Sequence, residues 1–278
     1  MIKLWKHGDQ FVILFMEVLL KAIACVKQVP DSAATVSVQN GRVTWGDAPL
    51  VLNPWDEYAV EIALQQTEAH GGDVTALTLG KEDEKEALKT AIAMGCKEAV
   101  RVCDPTLGTT DSQATAQILA AAIRKLGGAD LITFGMQAID NNSGVTAVQT
   151  ARLLGIPVLT LVSKVVSLDL TTNTIVVERA IEDGKQVVQA SLPVVLTFVK
   201  EVAEPRYPSF MGIRKAAKAE VKNLSLAELG ISQPQSFVRW AEITNPPQKQ
   251  IVTEIISGGS PEEIAENLAD MIMAEKVL

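Results

Sequence analysis

The stretch Leu131–Pro157, LITFGMQAIDNNSGVTAVQTARLLGIP, decides the fold. A short apolar run, Leu131–Phe134, meets a glycine, crosses a polar turn and enters a helix-period segment, Val145–Leu154, stopped by Gly155 and Pro157. Strand, polar turn and amphipathic helix in that order make one βα unit. The same alternation runs upstream. A strand over Ala22–Val26 is stopped by Pro30 and Asp31. Asn53 is placed to cap a helix with Pro54 at its first position and Asp56 and Glu57 at its positive end. A strand over Val74–Leu79, a helix carrying Ala87, Leu88, Ala91 and Ile92, a strand over Val100–Cys103 and a helix over Asp111–Leu126 follow. Apolar strands alternating with helices of this length predict an α/β fold with an open, mostly parallel sheet and flanking helices.

Beyond Leu161 the period changes. SKVVSLDL, TIVVERAIEDG and KQVVQASLPVVLTFV read as strands joined at Thr172-Asn173 and Asp183-Gly184. They predict a small antiparallel annex on one edge of the sheet and a return strand over Val194–Phe198. Nearer the start, Asn40-Gly41 between Val36–Val38 and Arg42–Thr44 predicts a short hairpin with a type I′ turn. After Glu201 come prolines and a cluster of basic residues, then a capping box with proline at Ser260–Glu263 that starts a last helix. This tail reads as an extended C-terminal arm that either docks on another surface or folds back on its own domain. The resulting division is an N-terminal extension over 1–20, an α/β domain over 21–200, and a C-terminal arm over 201–278. The first twenty residues carry Lys3, Lys6, Asp9 and Glu17 around FVILFM. They read as an extension outside the core, with Met16 as an alternative start; an accessory helix and a targeting segment are the competing readings.

Of 278 residues, 47% are apolar and 21% charged, which excludes global disorder. A net charge of −8 argues against bulk binding to nucleic acid or to an anionic membrane. No uncharged apolar stretch is long enough for a membrane span. Three cysteines without a CxxC suit a reduced compartment. There is no GxxxxGK[ST], no GxGxxG after the first strand, no GxSxG and no zinc spacing, and the histidines are only His7 and His70. No catalytic or metal-binding constellation is expected. Open parallel sheets bind ligands beyond the carboxyl ends of their strands, and three segments lie there: Cys25–Asp31, Leu79–Lys81 and Gly135–Thr146. In the third, free N–H groups at the helix start and the hydroxyls of Ser143 and Thr146 could hold a phosphate. Asp140 could orient the loop or accept from an adenine or ribose group. The alternative is that Ser143 caps the helix and Asn141 and Asn142 satisfy the turn.

CVKQVPD at Cys25–Asp31, LNPWDEYAVEIAL at Leu52–Leu64, KTAIAMGCKEAV at Lys89–Val100, GMQAIDNNSG at Gly135–Gly144, VERAIEDGKQVVQASLPVVLT at Val177–Thr197 and EPRYPSFMGIRKAAK at Glu204–Lys218 stand in an order that resembles the beta subunits of electron transfer flavoproteins. The resemblance implies one half of a heterodimer whose alpha subunit mainly holds a redox-active FAD, with a structural AMP in this chain. Electrons would pass from acyl-CoA or related dehydrogenases, as in fatty acid oxidation, to a membrane quinone oxidoreductase or another acceptor. The chain would be an electron carrier rather than an enzyme by itself, because the flavin supplies the chemistry. It implies a bacterial or archaeal cytoplasm rather than a mitochondrial matrix. Carried over by motif, the cofactor-binding positions are Cys25, Lys27, Asp31, Trp55, Leu79, Gln137, Ala138, Asp140, Ser143, Gly144, Val145 and Thr146. Trp55 is implied near the flavin and the subunit interface. The partner-binding positions are Val202, Glu204, Arg206 and Tyr207, with Val202 in place of a protruding leucine; Arg206 pairing with a local carboxylate stays open. Bifurcating relatives hold a second FAD in place of AMP. Asn141 and Ala147-Val148 make this loop bulkier than theirs and favour AMP.

Overall fold

A computed structural model describes residues 2–7, 10–15, 19–82, 84–247 and 253–276. In chain order the elements are β1 (Ile2–His7), β2 (Gln10–Phe15), β3 (Leu20–Cys25), β4 (Gln28–Pro30), β5 (Ser37–Gln39), β6 (Arg42–Thr44), β7 (Leu50–Leu52), α1 (Pro54–His70), β8 (Gly72–Leu79), α2 (Glu86–Met94), β9 (Glu98–Val102), α3 (Ser112–Lys125), β10 (Leu131–Gly135), α4 (Thr146–Leu154), β11 (Val158–Asp169), β12 (Thr174–Ile181), β13 (Gly184–Ser191), β14 (Val194–Phe198), α5 (Phe210–Lys218), β15 (Val221–Leu224), α6 (Leu226–Leu229) and α7 (Pro261–Ala274).

Nine strands form one sheet in the order β13-β12-β11-β14-β10-β3-β8-β9-β15. The run from β11 through β14, β10, β3, β8 and β9 to β15 is parallel. The pairs β11–β12 and β12–β13 are antiparallel and form the annex on one edge. The apolar sequence runs are continuous because both faces are covered. Leu20, Ala22 and Ala24 of β3 pack with α1 and α2, while Ile23 and Cys25 pack with α3 and α4. From β3 the chain turns to β8 and β9 on one side and reaches β10 and β14 on the other. The crevice of this sheet therefore opens beyond the carboxyl ends of β3 and β10, where the strand order reverses.

Local signals hold where both partners are near in sequence. Asn40 and Gly41 take φ of 52° and 69°, and β5 pairs with β6 around them. Residues 2–7 and 10–15 pair as an antiparallel hairpin in a sheet of their own, rather than as the accessory helix that was one reading of this segment.

The segment after Glu201 is more closely welded to the domain than its composition suggests. Helix α5 lies on α2, and a Cβ at Gly212 would sit 2.1 Å from the Ala93 carbonyl oxygen, so only glycine permits this approach. Strand β15 adds to the free edge of β9, with Val221 opposite Ala99 and Leu224 opposite Val102. Residues 231–247 form no helix or strand, and Asn245 exchanges two hydrogen bonds with the backbone of Val38. Helix α7 has no buried residue, and Ile264, Leu268, Met271 and Ile272 all face outward. Among the described residues no helix is long and apolar enough to cross a membrane.

Candidate nucleotide-binding site

Four loops surround a cleft of about 820 Å³ beyond the strand ends. Its lining comes from the end of β3 (Cys25–Lys27), the β8–α2 loop (Leu79–Glu82), the β9–α3 loop (Cys103–Ser112) and the β10–α4 loop (Gly135–Ala147). The first, second and fourth are the segments the sequence singles out. The third was missed, although the rule that identifies the others applies equally to the carboxyl end of β9. Its signal is the polar run GTTDS ending at a helix cap.

Eight of the sequence-derived cofactor positions line this cleft: Cys25, Lys27, Leu79, Gln137, Ala138, Ser143, Gly144 and Thr146. Asp31, Trp55, Asp140 and Val145 do not. Asp31 caps its own turn, its Oδ1 accepting from the Ala33 N–H at 2.8 Å. Trp55 is half-buried behind the cleft floor, its ring 6.3 Å from that of Tyr58. Asp140 is engaged by Lys27, whose Nζ lies 2.5 Å from Oδ2. That pair joins the β3 and β10 loops, so each charge is already matched before any ligand arrives. The Cys25 thiol forms part of the floor; burial, helped by the Asp56 charge, pushes its pKa up, which makes it a small apolar surface rather than a nucleophile.

The floor is set by two residues at the start of α1, Asn53 and Asp56, whose roles differ from the helix-start reading. Asn53 makes no side-chain cap. Its Nδ2 donates to the Gln137 carbonyl at 2.9 Å and its Oδ1 accepts from the Ile139 N–H at 3.2 Å, which pins the β10–α4 loop. Asp56 is buried and accepts from the N–H groups of Lys27 at 2.8 Å and Gly135 at 3.1 Å. Burial raises its carboxyl to about 7, against the opposing pull of Asn53, those two N–H donors and Lys27. A Cβ at Gly135 would lie 2.5 Å from Asp56 Oδ1 and 2.6 Å from the Trp55 carbonyl carbon, so glycine is required at the end of β10.

Two helix starts open on the cleft, and they differ electrostatically. At α3, Asp111 accepts from the Ala114 N–H at 2.8 Å, placing a carboxylate on the positive end of the helix. At α4, Val145 occupies the capping position and no side chain caps the helix. The Ser143 hydroxyl therefore does not serve as that cap. The loop before it is wired internally: Gln137 Nε2 donates to Asn142 Oδ1 at 3.1 Å, and the Ser143 N–H donates to Asn141 Oδ1 at 3.3 Å. Thr146 accepts at its carbonyl from the Thr150 hydroxyl, leaving its own side chain beside the open helix start. Among the described residues no cluster of His, Cys, Asp and Glu is arranged to hold a metal.

The proposed partner positions lie apart from the cleft. Val202 sits in a 3₁₀ turn, Lys200–Val202, and packs half-buried against the core instead of protruding. Arg206 folds back onto α1: Nε lies 2.8 Å from Glu61 Oε2 and Nη1 lies 2.5 Å from Glu68 Oε1. Glu204 is exposed, and Tyr207 is 90% exposed. The apolar side chains that do project here, unmarked in the sequence reading, are Phe210 and Met211, 74% and 69% exposed at the start of α5.

A family model for the electron transfer flavoprotein domain matches residues 46–229. The chain is similar to the electron transfer flavoprotein subunit beta of Bacillus subtilis, with 33% identity over 253 residues covering 90% of this chain and 96% of that one. It is similar to the caffeyl-CoA reductase-Etf complex subunit CarD of Acetobacterium woodii, with 33% identity over 93% of this chain and 100% of that one. Protein FixA of Azorhizobium caulinodans is 36% identical over 75% of this chain and 76% of its own length. The segments that resembled the family in sequence supply strands of the sheet, parts of α1, α2 and α5 and two walls of the cleft, and the chain belongs to the electron transfer flavoprotein family as a beta-subunit relative.

Proposed function

We propose that the cleft holds AMP as a structural nucleotide and that the chain is the beta half of a heterodimeric electron carrier. The phosphate rests on the open start of α4, with the Ser143 and Thr146 hydroxyls as added donors, and the adenine lies against Cys25 and Leu79. One observation carries this reading. Of the helix starts of α3 and α4, which both face the cleft, only that of α4 is free of a carboxylate, and an uncapped helix start is an anion site. Lys27 contributes less than its charge suggests, because Asp140 neutralises it.

The alpha subunit supplies the FAD, which carries the redox chemistry when bound. This chain contributes position: Tyr207, Phe210 and Met211 offer an apolar tip to the donor dehydrogenase, and the bare face of α7 is available to the alpha subunit. Electrons pass from acyl-CoA or related dehydrogenases to a membrane quinone oxidoreductase or another acceptor, in a bacterial or archaeal cytoplasm. A second reading, a second FAD in the cleft, is favoured by the cleft's size, which lies toward the upper end of the range of about 300–1,000 Å³ for small-molecule sites.

Ligand released by denaturing the heterodimer separates the two: AMP with one FAD per dimer for the first, two FAD for the second. The S143A/T146A variant should bind AMP at least about tenfold more weakly, since each hydrogen bond to a charged group contributes about 1.5–3 kcal/mol. Unchanged AMP affinity by calorimetry would place the phosphate elsewhere.

A further inference from the structure

Arg101 is the next-to-last residue of β9, is 1% exposed, and carries its charge into the protein interior. Its Nε and Nη2 donate to Asn223 Oδ1 at 3.0 and 2.8 Å. Its Nη1 donates to the carbonyls of Glu82 at 2.7 Å and Glu84 at 3.2 Å. Asn223 belongs to β15, the first strand of the C-terminal segment, and pairs in register with Arg101. Glu82 and Glu84 belong to the β8–α2 loop and line the cleft. One guanidinium thus grips the arm with one edge and the cleft wall with the other.

We propose that Arg101 is a positioning residue that latches the nucleotide cleft to the C-terminal arm, so that seating of the arm and holding of the cleft wall at Glu82 and Glu84 are coupled. The latch stands on these contacts; only the identity of the ligand rests on the nucleotide reading above. A guanidinium this deeply buried cannot drop its oxygen partners without a large desolvation penalty. If β15 leaves the edge of β9, Arg101 loses Asn223 and must turn toward water, and it then releases the Glu82 and Glu84 carbonyls. Neighbouring contacts run the same way. The Cys103 N–H donates to the Leu224 carbonyl, and the Leu226 N–H to Asp104 Oδ2. The Phe237 and Val238 N–H groups donate to Asp111 Oδ2 at 2.6 and 3.0 Å. Cys103, Asp104 and Asp111 all line the cleft, so the arm's inner stretch runs along the outside of that wall. Linkage makes the effect reciprocal: what seats the arm tightens the nucleotide, and the nucleotide seats the arm by the same factor.

Hydrogen exchange on the full-length chain tests this, with AMP as the probe ligand. Without nucleotide, Arg101→Met and Asn223→Leu should each speed exchange of the β8–α2 loop amides about tenfold. Adding AMP to the parent should slow exchange in β15 by about threefold or more, and should not do so in either variant. AMP affinity by calorimetry should fall about tenfold in Arg101→Met, with partial recovery in Arg101→Lys, which keeps the charge but loses the fork. If Arg101→Met does not fold, Asn223→Leu leaves the buried cation in place and carries the same expectations. Loop exchange at the parental rate in Asn223→Leu, or AMP protection of β15 retained in the variants, overturns the latch. If the parent binds no AMP, the nucleotide reading falls, and the latch stands or falls on loop exchange alone.

Discussion

Replacing Arg206 by alanine removes the group that ties the base of the arm to α1. Its guanidinium meets Glu61 at 2.8 and 3.1 Å and Glu68 at 2.5 and 3.0 Å. Glu68 is exposed, and its share is discounted for screening. Glu61 is only 4% exposed, so the variant leaves a buried carboxylate with Gln65 and one backbone N–H as its remaining donors. Losing charge-assisted bonds of about 1.5–3 kcal/mol each, partly compensated by those donors and by water, gives a cost of about 3 kcal/mol. For a chain of this size that is a drop of about 6–12 °C in thermal midpoint.

The pH signature separates this cause from lost packing. Burial pushes Glu61 up, but the hydrogen bonds from Arg206 and Gln65 outweigh it and hold the carboxyl below 4.5. A depressed folded value means stability that is present above the ordinary pKa and lost as pH falls through the folded one. Without Arg206 the burial effect prevails, Glu61 takes up a proton earlier, and the variant is relieved on acidification. The gap between parent and variant should therefore be widest at about pH 7 and should shrink toward about pH 4.5. Scanning calorimetry of the parent, R206A, E61Q and the double variant gives both the gap and the pairwise coupling. A midpoint within about 2 °C of the parent at neutral pH, or a gap that does not move with pH, would refute the reasoning.

Asp56 acts in the opposite sense. Its folded value near 7 lies above its ordinary 3.8, so its contribution to stability falls as pH rises from about 4 to about 7, and D56N should flatten that slope in urea-midpoint measurements. Gly135→Ala forces a methyl group against Asp56 and Trp55 and should lower the urea midpoint by an amount equivalent to about 2–3 kcal/mol. Val202→Asp, which puts a charge against the core, should destabilise the chain by about 2 kcal/mol in the same assay. Phe210→Asp should leave the midpoint unchanged and instead weaken docking to a donor dehydrogenase, read as a higher KM in steady-state electron transfer with the assembled dimer.

The cleft was legible in outline because its rule is topological. Once strands and helices alternate, the ends of parallel strands are the ligand side, and Cys25, Leu79, Ser143 and Thr146 follow from that. What each polar residue does there was not legible. Asn53 and Asp56 look like helix-start residues in sequence, yet their partners at Gln137, Ile139 and Gly135 are 79–86 positions away. Asp140 reads as a residue that orients the loop or accepts from an adenine or ribose group, and its partner, Lys27, lies 113 positions away. The resemblance puts Val202 in place of a protruding leucine, yet in the 3₁₀ turn it packs half-buried against the core.

By itself the sequence determined the main alternation of strands and helices between Ala22 and Leu154, the turn at Asn40-Gly41, the return strand Val194–Phe198 and the capped start of α7, because periodicity, turn chemistry and caps act over a few residues. Only the tertiary structure decided that VKNL at Val221–Leu224 is a strand. It has no apolar run of its own and owes its conformation to the unpaired edge of β9, from which its hydrogen bonds come. The same holds for Arg101 and Arg206. A charged side chain in sequence promises solvent, and only the fold brings the oxygens of Asn223, Glu82, Glu61 and Glu68 close enough to repay its burial.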